Sequence, residues 1–584
     1  MICKSSQHMM NEDNSKVTKV SIALVLAVCG FMSAAMYKVA ELKFDPPQEL
    51  QALAVHTNTR TEPIGNRGQI LDREGRILAI STVGYKLFVD PSLVDDPEEL
   101  AFDLSNVIDM SPAEIELKIR QRAHTKYVVI KNLLSREETA KVQALKLRPV
   151  GIQQRLVRTN PQGESCEKLI GLVGTEHSGL AGLEHTFEHD LSGEAGEFVR
   201  LKDSRNRTLW VSPEDYVPSK QGQDIQLSLD VVIQNIATTH LQDAILGCNA
   251  GGGRIVVVKP STGEILAMAD LLNPREGWSQ QPTDPQREID SRLGRNRCLT
   301  DPYEPGSTFK PFVWSVATEL GLATPEEMLD TPSGTPYRTP FGRSIRDAHY
   351  YGPSSWEKVL IKSMNSGMAI VAQRLSHQQL QTAVDDFGFG KPTRIGLGGE
   401  TRGIITSATK WSDYTQTSVA MGHEIAVTPL QMVQAFCAFA RDGTVPQLKL
   451  SLHEPNDPMI VRKAISPETT ELTRTILGKV MTDGTGRKAQ SEFYELFGKS
   501  GTAQLPKQDS RGYFEDRYIS SFIAGAPLQD PELVVLCVID DPDRKIAHYG
   551  GTVAGPVVRN VMDDALKYLG VRPTKEIVAQ VSAP

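Results

Sequence analysis

The sequence predicts a multidomain α+β or α/β protein: a single N-terminal membrane helix, a β-rich middle region, and a C-terminal domain whose antiparallel sheet is flanked by helices. Three observations carry this. The run VSIALVLAVCGFMSAAMYKVA, Val20 to Ala40, has no charged side chain between Lys19 and Lys38. Two β-rich hairpin patterns, Gly252 to Asp270 and Ile519 to Asp541, enclose a helical stretch. At 584 residues the chain exceeds what one hydrophobic core serves, so two or more domains follow.

The apolar run has the length a helix needs to cross the hydrocarbon core at about 1.5 Å per residue. It predicts a cytoplasmic tail over 1–19, a transmembrane helix over 20–40, and everything later outside the cytoplasm. Lys4, Lys16 and Lys19 precede it against Glu12 and Asp13, which favours that orientation. A cleaved signal peptide is the competing reading, with Ser33-Ala34-Ala35 as small residues for a peptidase, but its apolar core is usually only about 7–15 residues.

FDPPQEL, Phe44 to Leu50, follows as a stiff Pro-containing connector. Residues 50 to about 220 then mix short strands with polar turns, within a non-catalytic domain expected over 41–225. RGQILDREGRILAI, Arg67 to Ile80, reads as strand, turn at Glu74-Gly75, strand. SPAEIELKIRQRA opens a helix, with Ser111 as N-cap, Pro112 first and Glu114 three residues after the serine. Residues 226–572 form the C-terminal domain and 573–584 a tail. In GGRIVVVKPSTGEILAMAD and ISSFIAGAPLQDPELVVLCVIDD, dense apolar residues flank turns at Pro260 to Gly263 and Pro527 to Pro531, as in buried hairpins. Pro556 to Leu569 is a closing helix that packs on their sheet.

Composition excludes some functions. With a formal net charge of -8 and 23% charged residues, nothing suggests a grip on nucleic acid. The seven cysteines include no C-x-x-C and no metal-ligand spacing, so neither a cofactor nor a metal is expected. Five lie beyond the apolar run, an odd number that implies no complete disulfide framework.

Chemistry enters at EPGSTFKPF. Ser307 and Lys310 stand three apart at a helix start, where their side chains share a face and the free N–H groups and dipole favour a hydroxyl. The same features describe an ordinary N-cap serine, and S-x-x-K recurs roughly twice by chance in a chain this long. Its company changes the weighing: Ser363-Met364-Asn365 follows, then Lys499-Ser500-Gly501-Thr502. S-x-x-K, an S-x-N triplet and K-[ST]-G, in that order, form the signature set of penicillin-binding proteins and class A β-lactamases.

The chain resembles the class B penicillin-binding proteins, most closely the septal peptidoglycan D,D-transpeptidases, over nearly its whole length. RNRCLTDPYEPGSTFKPF, MGHEIAVTPLQM, Arg67 to Ala79 and GLAGLEHTFEHDLSG are similar to that family's blocks. The resemblance implies an anchor helix, an elongated β-rich pedestal without catalytic residues, and a penicillin-binding transpeptidase domain. It implies Ser307 as nucleophile, Lys310 as base, Ser363 as proton relay, Asn365 as holder of the substrate amide, and Lys499 as a source of positive potential. Ser500 and Thr502 would bind the substrate carboxylate, and Gly501 would leave room for substrate backbone. Lys310 acts as base only when deprotonated, so burial and the Lys499 charge are expected to lower its pKa. Met364 fills the variable middle of the second motif, and Ser500 stands for the commoner threonine with its hydroxyl retained. Implied partners are peptidoglycan stem peptides on lipid II-derived strands, β-lactams as covalent inhibitors, a SEDS-type membrane glycosyltransferase and other divisome proteins.

Rival readings have specific marks. A class A β-lactamase carries an E-x-x-L-N block, and none lies between Ser363 and Lys499. A D,D-carboxypeptidase uses water as acceptor and usually lacks the pedestal. HTFEH, His185 to His189, fits the H-x-x-E-H zinc pattern if both histidines share a helix face. A scaffold without catalysis is the remaining class; there Arg67, Asp72, Arg73 and Glu184 would fix pedestal geometry by charge pairing. No E-D-x-x-F-x-x-H glycosyltransferase block is evident, so a separate polymerase is expected.

Overall fold

The computed structural model describes residues 3–45, 47, 58–61, 65–202, 208–211, 216–273, 295–452, 460–507 and 512–575. Most of the Phe44 to Leu50 connector and of the 573–584 tail lies outside the described residues. The chain divides into two compact units, Met1–Gly65 with Gly193–Gln221, and Asn66–Ser192 with Gly222–Pro584.

In the first unit the apolar run lies within α1, Cys3–Phe44. The helix outruns the expected span at both ends because no proline interrupts the sequence before Pro46. Its Thr18–Phe44 portion, 27 residues, is long and apolar enough to cross a membrane. Val20, Leu24, Phe31 and Met36 are exposed along it, consistent with a single anchor. The same unit holds a small antiparallel sheet of Asn58–Thr61, Phe198–Lys202 and Thr208–Val211.

The second unit begins with the expected strand, turn and strand. β1 (Ile70–Leu71) and β2 (Ile77–Val89) are joined by a turn in which Gly75 takes φ +79°, a left-handed value that costs glycine little. β2 pairs antiparallel with β3 (Val128–Leu134) and β4 (Val150–Thr159). Between them α2 (Pro112–Gln121) starts as its sequence dictates, with Ser111 Oγ accepting from the Glu114 N–H at 3.3 Å. Ile115 and Ile119 of α2 join Leu87, Leu104 and Val128 in a core of their own.

The rest of the unit is built on the two distant hairpins. α3 (Val231–Gly247), β5 (Gly252–Lys259) and β6 (Glu264–Leu272) lead into helices α4 (Lys310–Glu319), α5 (Asn365–Ala372) and α6 (Pro429–Ala440). β7 (Phe497–Pro506), β8 (Tyr513–Ala526), β9 (Leu533–Asp540) and α7 (Gly555–Tyr568) complete it. Strand order is β6-β5-β9-β8-β7, every pair antiparallel. The hairpins meet where β5 lies beside β9, Val256 opposite Leu536.

Alternation divides the apolar residues of β5 and β9 between two cores. Ile255, Val257, Val535 and Cys537 pack with α3 and α7. Val256, Val258, Val534 and Leu536 face the other way, into the core that holds α4, α5 and α6. Burial on both faces explains the nearly unbroken apolar runs, each fully buried aliphatic side chain contributing about 1.5–3 kcal/mol. α6 is buried at every position, which makes it the central helix of that second core.

Candidate active site

The Ser307 turn is a short 3₁₀ helix, Gly306–Phe309, that passes directly into α4 at Lys310. Pro311 falls in the first turn of α4, where its missing N–H has no partner to lose. Gly306 takes φ +54°, and its N–H donates to the Gly422 carbonyl at 3.0 Å. A Cβ on Gly422 would come within 2.0 Å of the Gly306 oxygen, so the MGHE segment can seat against the Ser307 turn only with glycine there. Glu304, at the head of the turn, accepts from Tyr513 Oη at 2.8 Å and pairs with His423 Nδ1 at 3.0 Å.

Ser363 ends the preceding helix, Trp356–Lys362, in the left-handed conformation at φ +59°. A side chain there costs roughly 1–2 kcal/mol, and this one carries a hydroxyl set between two amines. Lys499 Nζ donates to Ser363 Oγ at 2.9 Å, and Lys310 Nζ lies 3.4 Å from the same oxygen. Lys310 also donates to the Ser363 carbonyl at 2.7 Å and to Asn365 Oδ1 at 2.6 Å. Asn365 Nδ2 donates to the Arg346 carbonyl at 2.9 Å, leaving one N–H and one lone pair of the carboxamide for a ligand. Met364 points into the core, which explains an apolar residue between two polar ones.

Both amines are fully buried. Burial brings Lys310 down to about 7, against the opposing pull of the Asp347 carboxylate. Burial and then the Lys310 charge hold Lys499 well below the usual lysine range. The expected depression of Lys310 is therefore present with burial as its cause, while repulsion between the amines acts on Lys499.

β7 brings in the third segment. Ser500 Oγ donates to Thr485 Oγ1 at 2.7 Å, and Thr502 Oγ1 accepts from the Gly550 N–H at 3.0 Å. Gly501 has a structural role that its sequence position did not suggest. A Cβ on it would meet Ser521 Oγ at 2.6 Å, the Pro305 carbonyl at 2.7 Å and Thr308 Cγ2 at 2.9 Å, so its bare backbone makes room for the Ser307 turn. The three segments thus meet at Ser363 Oγ, beside a Ser307 turn that abuts β7, and the Lys310 amine is brought down to where it titrates near neutrality. That chemistry suits acyl transfer through a hydroxyl.

Sequence reasoning missed Asp347, Thr485 and the Glu304–His423 pair. Asp347 and Thr485 lie in polar stretches without periodicity, and only their tertiary partners give them meaning. Glu304 adjoins the first motif and His423 stands in a recognised block, which were the available signals.

In the pedestal region all four charged residues singled out are paired. Arg67 Nε donates to Glu184 Oε2 at 2.6 Å, and Arg158 Nε to Glu184 Oε1 at 2.6 Å. Asp72 takes Arg76 at 2.6 Å, and Arg73 faces Glu264 at 3.4 Å. The zinc geometry of HTFEH fails. Phe187 separates the helix Gly182–Thr186 from the next turn, Glu188–Leu191, so His185 and His189 share no helix face, and the Glu188 carboxylate is engaged by Arg67 at 2.7 Å. The five cysteines beyond the membrane run are buried, and no disulfide joins them.

Comparison with known proteins places this arrangement. The model of the penicillin binding protein transpeptidase domain matches residues 253–563, and that of the penicillin-binding protein dimerisation domain matches 63–227. Stage V sporulation protein D of Bacillus subtilis is 32% identical, over 92% of this chain and 84% of its own. The probable peptidoglycan D,D-transpeptidase PenA of Neisseria meningitidis is 30% identical, over 97% of this chain and 95% of its own. Penicillin binding protein 3 of Mycobacterium tuberculosis, solved in complex with aztreonam, shares the fold at TM-score 0.64 and 23% identity, over 88% of this chain and 98% of that one. A serine D,D-transpeptidase is thus the class that fold and family define. The chain belongs to the class B penicillin-binding proteins.

Proposed function

We propose that this protein is a monofunctional peptidoglycan D,D-transpeptidase of septal wall synthesis. Its anchor lies in the inner (cytoplasmic) membrane and its catalytic domain on the periplasmic face. A pedestal over 41–225 and a transpeptidase domain over 226–572 are supported by the family-model matches. The observation that carries the catalytic reading is Ser363 Oγ set between Lys499 and Lys310. Ser307 Oγ attacks the carbonyl of a terminal D-Ala-D-Ala bond and gives its proton to neutral Lys310. Ser363 passes that proton to the departing D-alanine, and an amine of a neighbouring stem peptide then takes the acyl group, forming the cross-link. The backbone N–H groups of Ser307 and Thr502 hold the oxyanion. Lys499, Ser500 and Thr502 receive the terminal carboxylate, and Asn365 holds the substrate amide with its remaining donor and acceptor.

β-Lactams acylate the same serine, a reading supported by the aztreonam complex of the mycobacterial relative. Glycan strands come from a SEDS-type membrane glycosyltransferase, and divisome proteins bind outside the catalytic cleft. Labelling with a fluorescent penicillin tests the enzyme: the full chain labels and Ser307→Ala does not, whereas a pure scaffold stays dark. Depletion in the host tests the septal role: filaments support it, and rounding supports the second reading, a lateral-wall transpeptidase. The sporulation name of the Bacillus relative is what favours wall duties other than septation. Water as the only acceptor in a purified assay would make the protein a D,D-carboxypeptidase.

A further inference from the structure

Asp347 lies in the polar segment after the short strand Ser344–Ile345 and is buried. It accepts hydrogen bonds from the backbone N–H of Asn365 and from Ser366 Oγ, and from the Ser366 N–H at 3.0 Å. The two N–H groups are free donors of the first turn of α5, whose own N-cap, Met364, offers no side-chain acceptor. The residue before it, Arg346, supplies the carbonyl that takes Asn365 Nδ2. One short segment therefore fixes both the backbone and the carboxamide of Asn365, and Asn365 Oδ1 in turn fixes Lys310.

Charge gives this clamp a second consequence. The ionisable groups facing Lys310 are Lys499 on β7 and Asp347. Two buried amines against one buried carboxylate are neutral when the amines share a single proton, and water-poor surroundings favour that count. One amine is then free to take the serine proton while the other stays cationic.

We propose that Asp347 is a positioning residue of this site: it clamps the start of α5 so that Ser363 and Asn365 meet the two lysines, and its charge sets the number of protons those lysines share at one. The inference rests on the transpeptidase reading, and the test separates the two. Acylation of the full-length chain by a fluorescent penicillin is measured against pH for the unsubstituted protein, Asp347→Asn and Ser366→Ala. Labelling of the unsubstituted protein, lost in Ser307→Ala, supports the parent reading alone. The inference lives in the differences between variants. Without the carboxylate both amines lose protons more readily, so the acid and alkaline limbs of the Asp347→Asn profile should both move down by about one pH unit. Ser366→Ala, which keeps the charge and loses one clamp bond, should lower the rate severalfold with both limbs in place. Coincident limbs in Asp347→Asn and the unsubstituted protein, with melting temperatures matched, would overturn the proposal.

Discussion

Two regions of the second unit bury charge in opposite ways. At Arg67 each guanidinium has a carboxylate: Arg67 and Arg158 share Glu184, and Glu188 adds a second anion beside Arg67. At Lys310 two amines face each other, with Asp347 as the carboxylate that acts on Lys310. Burial makes a lone charge costly, so a matched cluster keeps its protons and becomes rigid, whereas a mismatched one sheds a proton and becomes reactive. The pedestal cluster is thus built to hold its geometry, and the lysine pair to exchange a proton.

Lys310→Met should break the comparison most severely, since it removes the proposed proton acceptor. Penicillin acylation should fall by about 10²–10⁴-fold, as for loss of a general base, while the melting temperature holds or rises because a buried amine is gone. Gly501→Ala comes next. Its methyl would intrude on Pro305 and Thr308, so the Ser307 turn should shift and acylation drop by about 10–100-fold, measured as a second-order labelling rate.

Arg67→Met acts on the other region. It leaves Glu184 with one guanidinium, and denaturant melts should report a loss of about 3–5 kcal/mol, the usual cost of breaking a buried pair. Labelling by the fraction that stays folded should change by less than about twofold. Ser500→Thr should do least: the hydroxyl that meets Thr485 is retained, and labelling should stay within about twofold.

Much of this contrast was legible in the sequence, for reasons that differ by element. The three motif segments that meet at Ser363 are short blocks recognised by residue type and order, and the hairpins of the large sheet announce themselves by apolar density. The capping residues Ser111, Pro112 and Glu114 placed α2 to within a residue or two. What stayed hidden depends on contacts between residues distant in the chain. Gly501 reads as a gap beside a strand until Pro305 and Thr308 are seen to fill it. The helix break at Phe187 leaves HTFEH intact as a string and removes its geometry. Arg67 and Glu184 stand 117 positions apart, so no local pattern reveals that they meet.

The central claim is that Lys310 works as a neutral amine because it is buried, and its titration tests this directly. With Lys310 brought to about 7, its neutral fraction grows as pH rises through that value and shrinks about tenfold per unit below it. The second-order rate of penicillin acylation by the full chain should therefore climb with pH along an acid limb centred near 7. A rate that stays level down to pH ~5, or a limb centred near the pKa of an ordinary lysine, about 10.4, would contradict the account.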